Sequence, residues 1–258
     1  MQGHLPDTLK ILLKEKASLY NTPAFIENDP IQVPHLFTER ENIEISGFFA
    51  ATFAWGRRDI IIRNTLDLIR RMENRPYEFL MNMDAGDLET FRDFKHRTIN
   101  GEDCIFFLRS LQRMYRDGPG LYQAFLDGYL ESRSIKDAII NFRKEFLITG
   151  HNYRSRKHIA DPSKGSAAKR INLFLRWMVR KDEAGVDLGI WDEIDPAHLY
   201  LPLDVHTGNV ARQIGILQRK QNDWKAVEEL TAVLRELDPA DPVKYDFALF
   251  GLGVSENM

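Results

Sequence analysis

The sequence predicts an all-α protein of two lobes, and three observations predict it. Nearly every apolar segment repeats every three to four residues, the period of a helix with one buried face. The alternation of apolar and polar residues that marks a half-buried strand is almost absent. No internal repeat, low-complexity tract or long hydrophilic linker divides the chain. The expectation is therefore one helical unit over residues 1–258, with both ends of the chain in the same lobe.

Taken in order, Leu5 to Tyr20 carries Leu9, Leu12 and Leu13 on one face. Residues 22–40 hold three prolines and read as an extended connector, because proline removes a backbone donor. Ile43 to Trp55 is apolar and rich in small residues, which suits a buried helix. Asp59 to Met72 alternates isoleucines and leucines with arginines, the pattern of an amphipathic helix. Gly101 to Tyr115, Gly120 to Glu131 and Ser134 to Leu147 read likewise. Ser166 to Val179 is helical, and Lys181 to Tyr200 is a long loop or a set of short helices. Thr207 to Leu217, Trp224 to Leu237 and Tyr245 to Leu252 close the chain, with Pro239 to Pro242 breaking it before the last helix.

Composition narrows the function classes. Hydrophobic residues make up 43% and charged residues 28%, enough for a core and a wetted surface. Cys104 is the single cysteine, which excludes a disulfide framework and any four-cysteine zinc or iron–sulfur site within the chain. Its neighbours Ile105, Phe106 and Phe107 mark it as a core thiol in a reducing compartment. No apolar run is long enough to span a membrane, and the first ten residues lack a signal-peptide core, so a cytoplasmic, nucleoid-associated location is expected. His96, His151, His158, His198 and His206 show no metal-ligand spacing, and there is neither a phosphate-binding loop nor a Gly-x-Ser-x-Gly elbow. No metal and no cofactor is expected.

Charge is distributed unevenly. The formal net charge is -3, yet from His151 to Lys181 nine Lys or Arg face a single acid, Asp161. The nine are Arg154, Arg156, Lys157, Lys164, Lys169, Arg170, Arg176, Arg180 and Lys181. Such a run is either a solvated helix face or a surface for a polyanion.

Two segments next to that run carry chemistry. In Pro162-Ser163-Lys164-Gly165-Ser166 a turn opens a basic helix, with Lys169 in its first turn. Free amides and the positive end of the helix suit a phosphate there. They also disfavour a charged amine, and Arg170 adds to this. In Leu203-Asp204-Val205-His206, Asp204 precedes a helix. It is a candidate N-cap, and the same place keeps a carboxylate ionised and directed outward. His206 either braces this loop or contacts phosphate. Phe48, Phe49 and Trp55 could stack a base, although aromatics at helical spacing usually fill a core, as Trp177 is expected to do.

Read together, these segments resemble the helix-hairpin-helix DNA glycosylase superfamily, which places a lysine at a helix start after a glycine-containing hairpin and an aspartate in a Pro-Val-Asp-x-His-like segment. The resemblance covers residues 43–254, with Gly47 to Thr52 and Asp59 onward as the early helix pair and Tyr245 to Gly251 as the closing helix. It points to a bacterial family of uncharacterised proteins distantly similar to the 8-oxoguanine DNA glycosylases. The hairpin has one glycine, Gly165, where the superfamily usually has two, and the 35 positions from Lys169 to Asp204 include an insertion between Arg180 and Tyr200.

The resemblance implies a monomeric enzyme that binds damaged duplex DNA and excises a base with AP-lyase activity, oxidised purine being the candidate. Lys169 would be the nucleophile and Asp204 its electrostatic partner, with Lys164 the rival amine. Arg154, Arg156, Lys157, Lys164, Gly165, Arg170 and His206 would hold the DNA. The alternative is a non-catalytic nucleic-acid-binding helical protein that retains the fold.

Overall fold

The computed structural model describes residues 5–150 and 154–255. They are mostly helical and contain no strand. Among them, no helix is long and apolar enough to cross a membrane. The chain divides into two units. One is continuous, Glu27–Asp161, and the other joins Met1–Ile26 to Pro162–Met258.

In the continuous unit the helices are α2 (Arg40–Phe53), α3 (Arg58–Arg71), α4 (Pro76–Asn82), α5 (Gly101–Asp117), α6 (Gly120–Ser132) and α7 (Ile135–Phe146). Helix α2 is buried from Asn42 to Phe53, so it is apolar nearly all round, as a helix enclosed by others must be. Its buried polar groups are satisfied: Glu44 accepts from the Tyr115 hydroxyl at 2.7 Å and from Arg40 Nε at 3.0 Å. Phe48, Phe107, Phe142 and Phe146 pack their rings edge to face around α2, and Phe125 stacks on Phe142 at 4.3 Å. Phe48 and Phe49 are core, and Cys104 is a fully buried thiol whose pKa desolvation raises. Helix α5 starts in a capping box, where Asn100 accepts from the Asp103 amide and Asp103 accepts in return.

The split unit holds α1 (Asp7–Tyr20), α8 (Lys169–Val179), α9 (Val205–Gln213), α10 (Trp224–Leu237) and α11 (Tyr245–Ser255). Leu13 and Ala17 of α1 join Val210, Leu230, Tyr245 and Leu249 in one core. Trp177 is fully buried on α8. The stretch between Arg180 and Tyr200 is largely irregular but well packed. Leu188 and Gly189 donate to the Trp177 carbonyl, and Trp191 is buried edge-on to Phe174 at 5.3 Å.

Several segments differ from the sequence expectation: the helix expected from Ser166 begins only at Lys169, because Ala168 takes a left-handed φ of 48, and the helix expected over Thr207 to Leu217 spans Val205–Gln213. Residues 22–40 are not extended but fold as three 3-10 turns, Pro23–Asn28, Pro30–Gln32 and Pro34–Leu36. Each begins at a proline, whose fixed φ suits a first helical position where no donor is needed. The second is also capped by Asp29, which accepts from the Ile31 amide. Helix α4 has no counterpart in the periodicity, because its seven residues are too few to show a repeat.

Helix α1 lies so close to α11 that a β-carbon built on Gly251 would sit 2.0 Å from the Tyr20 ring. The Gly251→Ala variant should therefore lose stability by about 1–3 kcal/mol, the usual cost of overpacking. Thermal unfolding followed by circular dichroism measures the loss, and an unchanged midpoint would contradict the close approach.

Candidate active site

The turn before α8 is a short 3-10 segment, Pro162–Lys164, closed by a bond from the Gly165 amide to the Pro162 carbonyl at 3.0 Å. Gly165 follows at φ +85, in the left-handed region, with open space where a side chain would be. The Gly165 carbonyl then accepts from the Trp224 amide at 2.9 Å, which ties the turn to the start of α10. Ala168 takes φ 48, and the chain enters α8 with Lys169 as its first residue. Gly165 and Lys164 are exposed, and Lys169 is half-buried.

The aspartate is set by a separate device. Asp204 is the N-cap of α9, and its Oδ1 accepts from the Thr207 amide at 3.0 Å. Its own carbonyl accepts from Asn222 Nδ2 at 3.1 Å, and Asn222 Oδ1 accepts in turn from Arg212 at 2.5 Å. The other carboxylate oxygen, Oδ2, lies 3.8 Å from Lys169 Nζ. These side chains are 37% and 25% exposed, so the pair is open to solvent on one side and held on the other. Two residues 35 positions apart thus meet at the starts of two helices.

Beneath the pair lies a charged cluster that no spacing in the sequence reveals. Arg176, two turns further along α8, is buried and bonds Asp187 at 3.1 Å and Asp246 of α11 more closely still. Arg180 bonds Asp187 at 3.0 Å, Asp241 at 3.0 Å and Asp182 at 2.6 Å. The Phe247 ring lies under both guanidinium groups, 4.5 Å from that of Arg176. Arg176 and Arg180 belong to the basic run from which a polyanion surface is expected. The structure corrects this for these two: both are buried and bonded to carboxylates.

Asp246 is the electrostatic link between cluster and pair. Burial pushes its carboxyl up to about 6, opposed by Arg176, raised further by Asp204 and lowered by Lys169. No motif singles it out; the only signal in the sequence is an acid placed among the apolar residues of a core helix.

The remaining candidates divide between the units. Arg154, Arg156 and Lys157 are exposed on the continuous unit. They are anchored there through Asp103, which accepts from the Ser155 hydroxyl at 2.7 Å and lies 3.3 Å from His158. Lys164, Gly165, Arg170 and His206 belong to the split unit. His206 is exposed, and Arg170 is half-buried, its pKa lowered by desolvation. His151 lies outside the described residues. Among those described, no group of three or more His, Cys, Asp or Glu is arranged to hold a metal ion.

The raised Asp246 pKa carries a stability consequence. An acid with an ordinary value of 3.8 and a folded value of about 6 holds its proton more tightly in the native state. Its contribution is fully present below pH 3.8 and is lost as pH rises through 6, an effect of about 3 kcal/mol at most. Carboxyl-detected NMR should show one aspartate with a midpoint near 6, and Asp246→Asn should remove that signal. Finding every aspartate titrating below about pH 5 would refute the coupling.

Comparison with known proteins places this arrangement in one family. No match emerges among curated proteins or among solved structures. The family described as "Protein of unknown function (DUF2400)" matches residues 29–255, which include α8, Lys169, Asp204 and Asp246. The chain belongs to the DUF2400 family.

Proposed function

We propose that this chain is a DNA glycosylase with AP-lyase activity, in which Lys169 is the nucleophile and Asp204 its electrostatic partner. The observation that carries this reading is the division of labour in the Asp204 carboxylate. One oxygen is taken by the helix cap, which locks the rotamer, and the other lies 3.8 Å from the Lys169 amine. A capping residue needs only the first of these. An amine at the start of α8, beside an exposed turn at Gly165, is also placed where a phosphate backbone can approach helix amides.

The chemistry follows from those groups. The target nucleotide leaves the stack, because its sugar is out of reach within a duplex. As the bond from C1′ to the base breaks, its electron pair leaves with the base and positive charge grows on the sugar, which the Asp204 carboxylate offsets. The Lys169 amine then attacks C1′, and the proton its nitrogen sheds as the new bond forms passes through the Asp204 carboxylate to the sugar ring oxygen. Opening of the protonated sugar ring yields a Schiff base, and transfer of the C2′ proton to the departed base anion then expels the 3′ phosphate by β-elimination. Damaged duplex DNA is the substrate class, with oxidised purine such as 8-oxoguanine the first base to assay. The exposed Lys164 and His206, on the same unit as Lys169, supply candidate phosphate contacts.

Asp204→Asn keeps an oxygen that can accept from Thr207, and asparagine caps helices as well as aspartate does. Stability should change by less than about 1 kcal/mol in denaturant unfolding, while base release should fall at least about 100-fold. A parallel loss of both, with no separate activity defect, would return Asp204 to a purely structural role.

Borohydride reduces an imine to a stable amine and so traps the covalent intermediate. Trapping on oligonucleotides carrying 8-oxoguanine or an abasic site should occur with the wild type and with Lys164→Gln, and vanish with Lys169→Gln. Equal trapping by wild type and Lys169→Gln would remove the lysine mechanism. Loss only in Lys164→Gln would make the turn lysine the nucleophile.

A further inference from the structure

Among its described residues, the continuous unit exposes one large aromatic side chain in a setting built to hold it. Trp55 follows the end of α2 and is 50% exposed, whereas Trp177, Trp191 and Trp224 are 0%, 0% and 2% exposed. The Arg97 guanidinium lies over the Trp55 ring at 4.2 Å. Arg97 sits in a tight turn closed by two bonds between His96 and Ile99, both 2.9 Å, and takes φ 53, a left-handed conformation that a non-glycine residue rarely adopts.

That turn is anchored from three sides. His96 is buried, stacks on Phe53 at 4.9 Å, and its ring bonds the Phe53 carbonyl at 2.9 Å and Asn64 at 3.0 Å. Arg154 donates to the Thr98 carbonyl at 2.8 Å. Gly56, next to Trp55, leaves room for Arg97: a β-carbon there would lie 2.6 Å from Arg97 Nη1. A buried histidine, a strained arginine and a glycine thus combine to keep an aromatic face in solvent with cations around it. Strain of this kind persists where surrounding structure holds it, and it clusters at functional sites.

We propose that Trp55 and Arg97, with Lys95 and Arg154 on or against the same turn, form a stacking site for an unpaired base of a single nucleic-acid strand. A flat ring with half its surface open suits a base face, and the exposed Lys95, Arg97 and Arg154 suit the backbone phosphates that follow it. A duplex keeps its base faces occupied, so the site selects single-stranded or locally opened nucleic acid. The site lies wholly within the continuous unit and needs no bond cleavage, so it stands independently of the Lys169 chemistry.

The full chain reports on the site directly, because the other three tryptophans are buried. Undamaged oligothymidylate of about 16 nucleotides, the upper end of a single-strand site, should quench tryptophan fluorescence, and the same strand in a duplex should quench it much less. With a dye-labelled strand read by anisotropy, Trp55→Ala should weaken binding roughly tenfold, and Trp55→Phe, which keeps a ring, should stay within about threefold of wild type. Arg97→Ala should weaken binding and lower the salt slope by about 0.7, the share of one single-strand phosphate. Trp55 is half exposed, so its variants should unfold at the wild-type midpoint, and circular dichroism checks this. Strand binding without quenching, equal quenching by duplex, or wild-type affinity in Trp55→Ala would each overturn the proposal. So would quenching by anionic lipid vesicles in place of the strand. Borohydride trapping at Lys169 is read separately, so either result can fail alone.

Discussion

The split unit depends on one interaction, the buried ion cluster of Arg176 and Arg180 with Asp187 and Asp246. It ties α8 to the irregular segment after it and to α11. Charges out of water cost several kcal/mol each, and only close, multiply bonded partners offset that cost. The geometry here is close and reciprocal, with Asp187 accepting from both arginines. Removing one member would leave a buried charge unpaired, a loss of about 3–5 kcal/mol. The loop between Arg180 and Tyr200, irregular though it is, is therefore fixed in place.

That cluster also sets the geometry of the pair above it. Helix α8 carries Lys169 at its first residue and Arg176 two turns later, so anchoring Arg176 fixes the direction in which Lys169 is presented. Asp204 comes from an independent scaffold, the cap of α9 braced by Asn222. Asp246 binds the arginine below and feels the lysine and aspartate above. The buried network thus fixes the direction of Lys169, while Asp204 is held by its own cap bond to Thr207. The continuous unit follows a different principle. Its centre is a cluster of phenylalanines around α2; of its polar anchors, Glu44 joins α2 to α5, and His96 and Asp103 pin loops.

Much of this is legible in the chain itself. Periodicity locates the long helices, and the Asp204 cap follows from an aspartate placed ahead of a helix. Cys104, Trp177, Phe48 and Phe49 are in the core as their neighbours imply. The failures have physical causes. Proline is a mark of extended chain in many settings, but at the first position of a short turn it favours helical geometry. Helix α4 is too short to show a period. A charge count treats nine basic residues alike, although Arg176, on the inner face of α8, and Arg180, just past its end, are buried and meet acids from distant segments.

The sequence by itself determined the all-helical class, a helix with Lys169 in its first turn, the Asp204 cap and the asymmetry of charge. These are local matters of spacing and capping, which neighbouring residues decide. Only the tertiary structure decided that Lys169 meets Asp204, that Asp246 joins them, and that Trp55 is held in solvent under Arg97. The reason is that each of these depends on which faces of non-adjacent segments come together. Pairings across 35, 42 or 77 positions leave no periodic trace in one chain, and burial, which separates a structural arginine from a surface one, exists only once the chain is folded.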